Sequence, residues 1–313
     1  MPKLVNLGSL CIDHVYQVPN LAGNGETVAS TGHAVFPGGK GLNQSLAAAF
    51  AQAAVHHVGC IGEDGAMLSA VLEAAGVDVS DVVRRGGDSG HAVIQVNGSG
   101  ENAIVIAGGA NRHIEDADIE RAFAALATGD WLLIQNEIND VERVLHQAAE
   151  KGVDLAFNVA PVDGRESRYD LRGVRLLLVN EIEAAALAGE SDPQRALDRL
   201  SDLLPETAIV LTLGCQGLLY RSSAGMGMLG AYSVDVVDET AAGDAFIGYL
   251  MAELLTGRTL EAGVACASAA GALAVTVPGA ADSIPRRRAV DEFIGNNGPL
   301  YTVRPLYGKA FIR

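Results

Sequence analysis

Val236-Val-Asp-Glu-Thr-Ala-Ala-Gly-Asp-Ala-Phe-Ile-Gly248 joins two kinds of structure. An apolar, β-like segment at 232–237 runs into a turn of small residues, Thr240-Ala-Ala-Gly243. A helical pattern then begins at Asp244, with Phe246, Ile247, Leu250, Met251 and Leu254 at helical spacing. The first amides of a helix have no intrahelical partners and point out of its N-terminus. Small residues around them let a ligand approach the main chain. That makes a cradle for an anion, with the Asp244 carboxylate at its lip. Phosphoryl transfer to an alcohol needs that pairing, because a proton leaves where negative charge collects. The same residues fit a plainer reading, an acid favoured by the helix dipole after a tight turn. By itself the stretch leaves both open.

Strands and helices alternate on either side of it. Apolar runs at 3–8, 55–61, 131–134, 155–158, 176–179, 208–213 and 218–221 read as strands. Helical patterns at 46–54, 66–75, 119–126, 141–149, 241–255 and 260–274 lie between or after them. The expected fold class is α/β, with a mostly parallel central sheet covered by helices on both faces. Ligands in such sheets sit at the carboxyl ends of the strands. Short alternating segments at 14–18 and 26–30, and a hairpin at 91–106 turning on Asn97-Gly98, break this rhythm. They predict a small β-sheet lid inserted at about 14–36 and 89–106 in a single domain spanning 1–313. Residues 295–313 fit no rhythm and read as a tail that docks on the body or on a second subunit.

The formal net charge of −16 over 313 residues argues against nucleic acid or an anionic membrane as a partner. Four scattered cysteines without a Cys-x-x-Cys pair read as reduced thiols of a cytoplasmic protein. No signal peptide is evident at the N-terminus. The uncharged stretch 262–281 is interrupted by Pro278 and reads as a buried helix followed by a turn.

Three further stretches carry chemistry. Gly38-Gly-Lys-Gly-Leu-Asn43 is glycine-rich at a helix start, but Gly41 stands where a Walker loop needs Ser or Thr. It suits a small ligand near the backbone, with Asn43 placed to meet a hydroxyl; a plain glycine turn with a solvated Lys40 is the alternative. Asn180-Glu-Ile-Glu183 puts an amide and a carboxylate on one helix face, suited to hydrated Mg²⁺ or to ordinary capping. Thr212-Leu-Gly-Cys-Gln-Gly217 is a glycine turn between two strands, either a simple hairpin or a nucleotide shelf. Asp13 is a lone acid at the end of the first strand.

In this order the motifs resemble the ribokinase-like (PfkB) family of carbohydrate kinases, over roughly residues 3–294. The resemblance implies Asp244 as catalytic base and Ala241, Ala242 and Gly243 as anion hole. It implies sugar contacts from Asp13, Gly38, Gly39, Lys40, Asn43 and Glu137. Asn180 and Glu183 look like the Mg²⁺–phosphate motif, and Thr212, Gly214 and Gly217 like the ATP shelf. Asp238, Thr240, Ala274, Val277, Gly279 and Ser283 resemble a monovalent-cation loop that would hold K⁺. Fold analogy adds a homodimer paired through the lid.

One departure stands out. Ribokinases usually read Gly-Ser-x-Asn-x-Asp, whereas this chain reads Gly8-Ser-Leu-Cys-Ile-Asp13. A thiol cannot replace an amide that both donates and accepts. D-ribose is the implied substrate, and 2-deoxyribose, another sugar or a nucleoside are the alternatives. A non-catalytic sugar sensor should have lost the base or the cradle, and both are intact. A nicotinamide oxidoreductase is disfavoured because no Gly-x-Gly-x-x-Gly follows the first strand.

Overall fold

The computed structural model describes residues 2–301. The chain opens with β1 (Lys3–Leu7), β2 (Cys11–Gln17), β3 (Gly32–Gly38), α1 (Lys40–Phe50), β4 (Ala54–Ile61), α2 (Ala66–Ala74) and β5 (Asp78–Arg84). The hairpin β6 (Gly90–Val96) and β7 (Asn102–Ala107) precedes α3 (Asp116–Ala124), β8 (Trp131–Gln135), α4 (Val141–Lys151) and β9 (Asp154–Asn158). Then come β10 (Leu176–Asn180), α5 (Glu181–Ala188), α6 (Pro193–Leu203), β11 (Ala208–Thr212), β12 (Leu218–Ser222) and β13 (Gly225–Leu229). Three helices close the described chain: α7 (Ala242–Leu255), α8 (Leu260–Ala274) and α9 (Arg287–Asn297).

Nine strands form one sheet in the order β13-β12-β11-β10-β9-β8-β1-β4-β5. Every pair from β5 to β11 is parallel, and β12 and β13 add antiparallel at one end. Period-two alternation splits the apolar runs between two layers. Leu4, Leu133 and Leu176 pack with Leu42 and Leu46 of α1, Leu250 of α7 and Val264 of α8. Val5, Leu132 and Leu177 pack on the other side with Ile119 of α3, Val144 of α4 and Leu200 of α6. Burying each such side chain contributes about 1.5–3 kcal/mol. β1 lies between β4 and β8, so the strand order reverses there and a crevice opens at its carboxyl end.

A separate four-stranded sheet, β3-β2-β6-β7, rises from that end as the lid. Pro37 is tolerated in β3 because β3 is an edge strand and needs no donor on its outer side.

Several sequence expectations are corrected. Residues 231–236 form no strand. Val236 and Val237 are 57% and 60% exposed, and the Val237 amide donates to the Val275 carbonyl at the end of α8 rather than to a sheet. Residues 26–30 form no strand either; the lid strand starts at Gly32, past the turn that Gly23 and Glu26 close. α1 begins at Lys40, so the glycine motif opens the helix as expected, but it ends at Phe50 rather than 54, where β4 begins. β5, β13, α6 and α9 were not anticipated. Of the tail, residues 302–313 lie outside the described residues, while Leu300 packs on the core and the Tyr232 hydroxyl donates to the Gly298 carbonyl at 2.9 Å. Among the described residues no helix is long and apolar enough to cross a membrane.

Candidate active site

Two turns interlock at the carboxyl end of β1. The Leu42 amide donates to the Ser9 carbonyl at 2.9 Å and the Gly41 amide to Ser9 Oγ at 3.1 Å. A Cβ on Gly41 would lie 2.4 Å from the Ser9 nitrogen, so backbone meets backbone there. Gly39 has φ +93° and its missing Cβ would press on the Cys11 amide at 2.9 Å, which only glycine avoids. Those contacts, rather than phosphate binding, explain the glycines of 38–41.

The interlock gathers carboxylates. Glu137 accepts from the Lys40 amide at 3.1 Å and from the Ser9 hydroxyl. Asp13 on β2 is buried, with Gly38 packed against its carboxylate, and its oxygens accept no hydrogen bond from the described residues. Burial, with Glu137 and Asp244 nearby, pushes its carboxyl up to about 7. Lys40 is half-buried; burial pulls its ammonium down, but Asp244, Glu137 and Glu183 outweigh this and hold it above its ordinary value.

Asp244 closes the pocket from α7. Its Oδ2 accepts from Asn43 Nδ2 at 3.1 Å and its Oδ1 from Gln44 Nε2 at 2.9 Å. Asn43 Oδ1 is buried without a partner, so a ligand hydroxyl would satisfy it. The turn before α7 is strained: Ala241 sits left-handed at φ 60°, which costs a residue with a Cβ about 1–2 kcal/mol. It turns the first helical amides outward. The Ala242 amide, expected in the cradle, bonds the Glu239 carbonyl at 3.3 Å and the Ala245 amide the Ala241 carbonyl at 2.8 Å, whereas those of Gly243 and Asp244 find no acceptor among the described residues. A Cβ on Gly243 would meet open space.

The remaining candidates line the strand ends further along the sheet. Asn180 and Glu183 form a capping box: the Glu183 amide donates to Asn180 Oδ1 at 2.9 Å and the Asn180 amide to Glu183 Oε2 at 2.8 Å. Burial raises the Glu183 carboxyl, against the opposing pull of the Asn180 amide and Lys40. The box uses Oε2 and leaves Oε1 out of it. Thr212, at the end of β11, hydrogen-bonds the Val179 carbonyl across to β10, and Gly214 beside it is exposed. Gly217 packs against the Leu229 carbonyl of β13, so its role in the turn is at least structural.

In the cation-loop candidates, Asp238 Oδ1 accepts from the Thr240 amide and hydroxyl, and Oδ2 from the Gly279 amide at 2.8 Å. These bonds hold Asp238 below its ordinary range against the cost of burial. The Val277 amide bonds the Ala274 carbonyl at 3.2 Å, and the Ser283 hydroxyl bonds the Ala280 carbonyl at 2.9 Å. Two segments 41 residues apart are thus tied together, and a cation there would depend on backbone carbonyls. No cluster of three or more His, Cys, Asp or Glu able to hold a metal occurs among the described residues.

Sequence reasoning missed Gln44, Gln135, Asn158 and Asn111. Asn111 holds the Leu10 amide at 3.0 Å and donates to Cys11 Sγ at 3.4 Å. A cavity of about 690 Å³ lined by Arg143, His146, Arg165, Arg168 and Tyr169 contains none of the candidates, so concavity alone points elsewhere.

Fold and site together define a phosphotransferase of the ribokinase-like class. The pattern of the pfkB family carbohydrate kinases matches residues 1–287, and the chain belongs to that family. It is 34% identical over 301 residues to the ribokinase of Haemophilus influenzae, covering 93% of this chain and 98% of the relative. It is 28% identical to a deoxyribokinase of Salmonella typhi, covering 93% and 98%. The structure of Arabidopsis thaliana ribokinase complexed with ribose and ATP superposes with a TM-score of 0.81 at 28% identity, covering 94% of this chain and 98% of that one.

Asp13→Asn should separate stability from binding. A carboxyl whose folded value is raised stabilises below its unfolded value and loses that contribution as pH rises through about 7. Asparagine has no such loss. The variant's melting temperature should therefore gain on the parent's between pH 5 and pH 8, while its sugar KM rises. A Tm difference independent of pH would contradict the origin assigned to the shift.

Proposed function

We propose that this carbohydrate kinase transfers the γ-phosphoryl of ATP to a primary hydroxyl of a free pentose, D-ribose first and 2-deoxy-D-ribose second. The carrying observation is Asp244, a buried carboxylate held by Asn43 and Gln44 beside two helix amides without acceptors. Asp244 orients the hydroxyl and takes its proton as the new oxygen–phosphorus bond forms; the unpaired amides of Gly243 and Asp244 stabilise the charge on the transferring group. Asp13, Asn43 and Glu137 hold the sugar. Asn180 and Glu183 would hold Mg²⁺, directly or through water, and bound there the ion would neutralise charge on the phosphate tail. The lid excludes water. We assign Thr212, Gly214 and Gly217 to the nucleotide, and Asp238, Thr240, Ala274, Val277, Gly279 and Ser283 to a K⁺ loop.

Cys11 supports the second sugar. It is buried, and Asn111 already donates to its sulfur, so it presents no amide to a ribose hydroxyl. The lid leaves Val35, Val93, Ile104, Val105 and Ile106 exposed, which supports a homodimer paired through it. ADP release over D-ribose, 2-deoxy-D-ribose, hexoses and nucleosides, with and without K⁺, tests the reading. The expected result is the highest kcat/KM with one of the two pentoses; a nucleoside at the top would overturn it.

A further inference from the structure

Behind Asp244 and the Gln44 amide that holds it lies a buried chain of amides to which the reaction as described gives no part. Gln44 Nε2 donates to Asp244 Oδ1 at 2.9 Å and to Asn158 Oδ1 at 3.1 Å, which uses both of its hydrogens. Gln44 Oε1 accepts from Gln135 Nε2 at 2.8 Å. Gln135 spends its second hydrogen on Asn6 Oδ1 at 3.0 Å. Asn6 Nδ2 donates to the Gly41 carbonyl and to Ser45 Oγ, both at 2.8 Å. Ser45 Oγ lies 2.8 Å from His57 Nδ1. Asn6, Gln44, Ser45, Gln135 and His57 are all fully buried, and Asn158 nearly so.

The bonds have one consistent direction. The Gly41 carbonyl can only accept, so the Asn6 amide must turn its NH₂ toward it. Ser45 then accepts from Asn6, which points the Asn6 oxygen at Gln135. Gln135 in turn offers its NH₂ to Gln44, which leaves Gln44 only its NH₂ to offer Asp244. Turning the Gln44 amide over would set oxygen against the Asp244 carboxylate and NH₂ against NH₂ at Gln135. The frozen orientation is a donor aimed at Oδ1 of Asp244, with no reorganisation left for the moment of reaction.

We infer that Gln44 is a positioning residue of the transfer: it fixes Oδ1 of Asp244, and Gln135 fixes Gln44, so that Oδ2 is the oxygen that takes the sugar proton. This rests on Asp244 being the base.

The test compares Gln44→Met, Gln135→Met and the double variant in ADP release at saturating ATP, with Asp244→Asn alongside. Gln44→Met should lower kcat about tenfold or more, the scale of one charge-assisted hydrogen bond, with sugar KM changed by less than about threefold. Gln135 acts through Gln44, so the double variant should lose no more than Gln44→Met alone. A general packing defect would instead move KM with kcat and make the two losses multiply. Parental kcat in Gln44→Met, or multiplicative losses, would overturn the proposal. Gln135→Met keeps the test alive if Gln44→Met does not fold, since parental kcat there is also fatal. An active Asp244→Asn would sink the base itself, a separate outcome.

Discussion

Asp244→Asn is expected to bind sugar and to lose transfer by about 10²–10⁴-fold, the range that a positioned general base supplies. The amide is isosteric, so α7 and its outward amides stay in place. Its oxygen can keep the 2.9 Å bond from Gln44 Nε2, whose orientation Gln135 fixes. That leaves an NH₂ facing Asn43 Nδ2, where Oδ2 now accepts at 3.1 Å. Asn43 can answer by turning over, because its own oxygen is buried without a partner. The site then survives as a binding site but offers no proton acceptor to the sugar hydroxyl. Sugar titration by calorimetry should show retained binding while coupled ADP release falls to near background. Transfer at the parental rate would remove Asp244 from the chemistry.

Much of this was legible before any coordinates. The alternation that divides Leu4 from Val5 and Leu176 from Leu177 is a sequence pattern, and it suffices for a covered parallel sheet. The motifs around 40, 180 and 240 could be placed at strand ends for the same reason. The exact elements around them were less accessible. The run 232–237 is apolar enough for a strand, yet with Val237 bonded to the end of α8 it has no sheet edge to join. The amide chain was missed because each member looks unremarkable locally. Asn6 interrupts Leu-Val-Asn-Leu, and Gln135 and Asn158 close two apolar strands. Read together, they put a carboxamide at or near the carboxyl end of β1, β8 and β9, where water is excluded and each must find a partner. That repeated placement was the available signal, but which amide faces which depends on the sheet order. The direction of the bonds depends further on the Gly41 carbonyl, which can only accept from Asn6.

Gly248→Ala should damage both stability and activity. Gly248 lies one helical turn beyond Asp244, on the face of α7 that crosses α1. A Cβ there would stand 2.3 Å from the Ala47 Cβ, 2.6 Å from the Gln44 carbonyl oxygen and 2.7 Å from the Ala48 amide nitrogen. Two of these atoms are helix backbone and cannot rotate away, so the helices themselves must separate. Overpacking of this kind costs about 1–3 kcal/mol, occasionally more, and should lower Tm by roughly 2–5 °C. The same displacement lengthens the bonds from Asn43 and Gln44 to Asp244, because all three residues hang from this crossing. A shift of about 1 Å at a reacting group is worth about 10²-fold in rate, so kcat should fall far more than the Tm change would suggest. Thermal unfolding and steady-state ADP release on the same preparation provide the check. A variant with parental Tm and parental kcat would mean that α1 and α7 do not fix the geometry of Asp244.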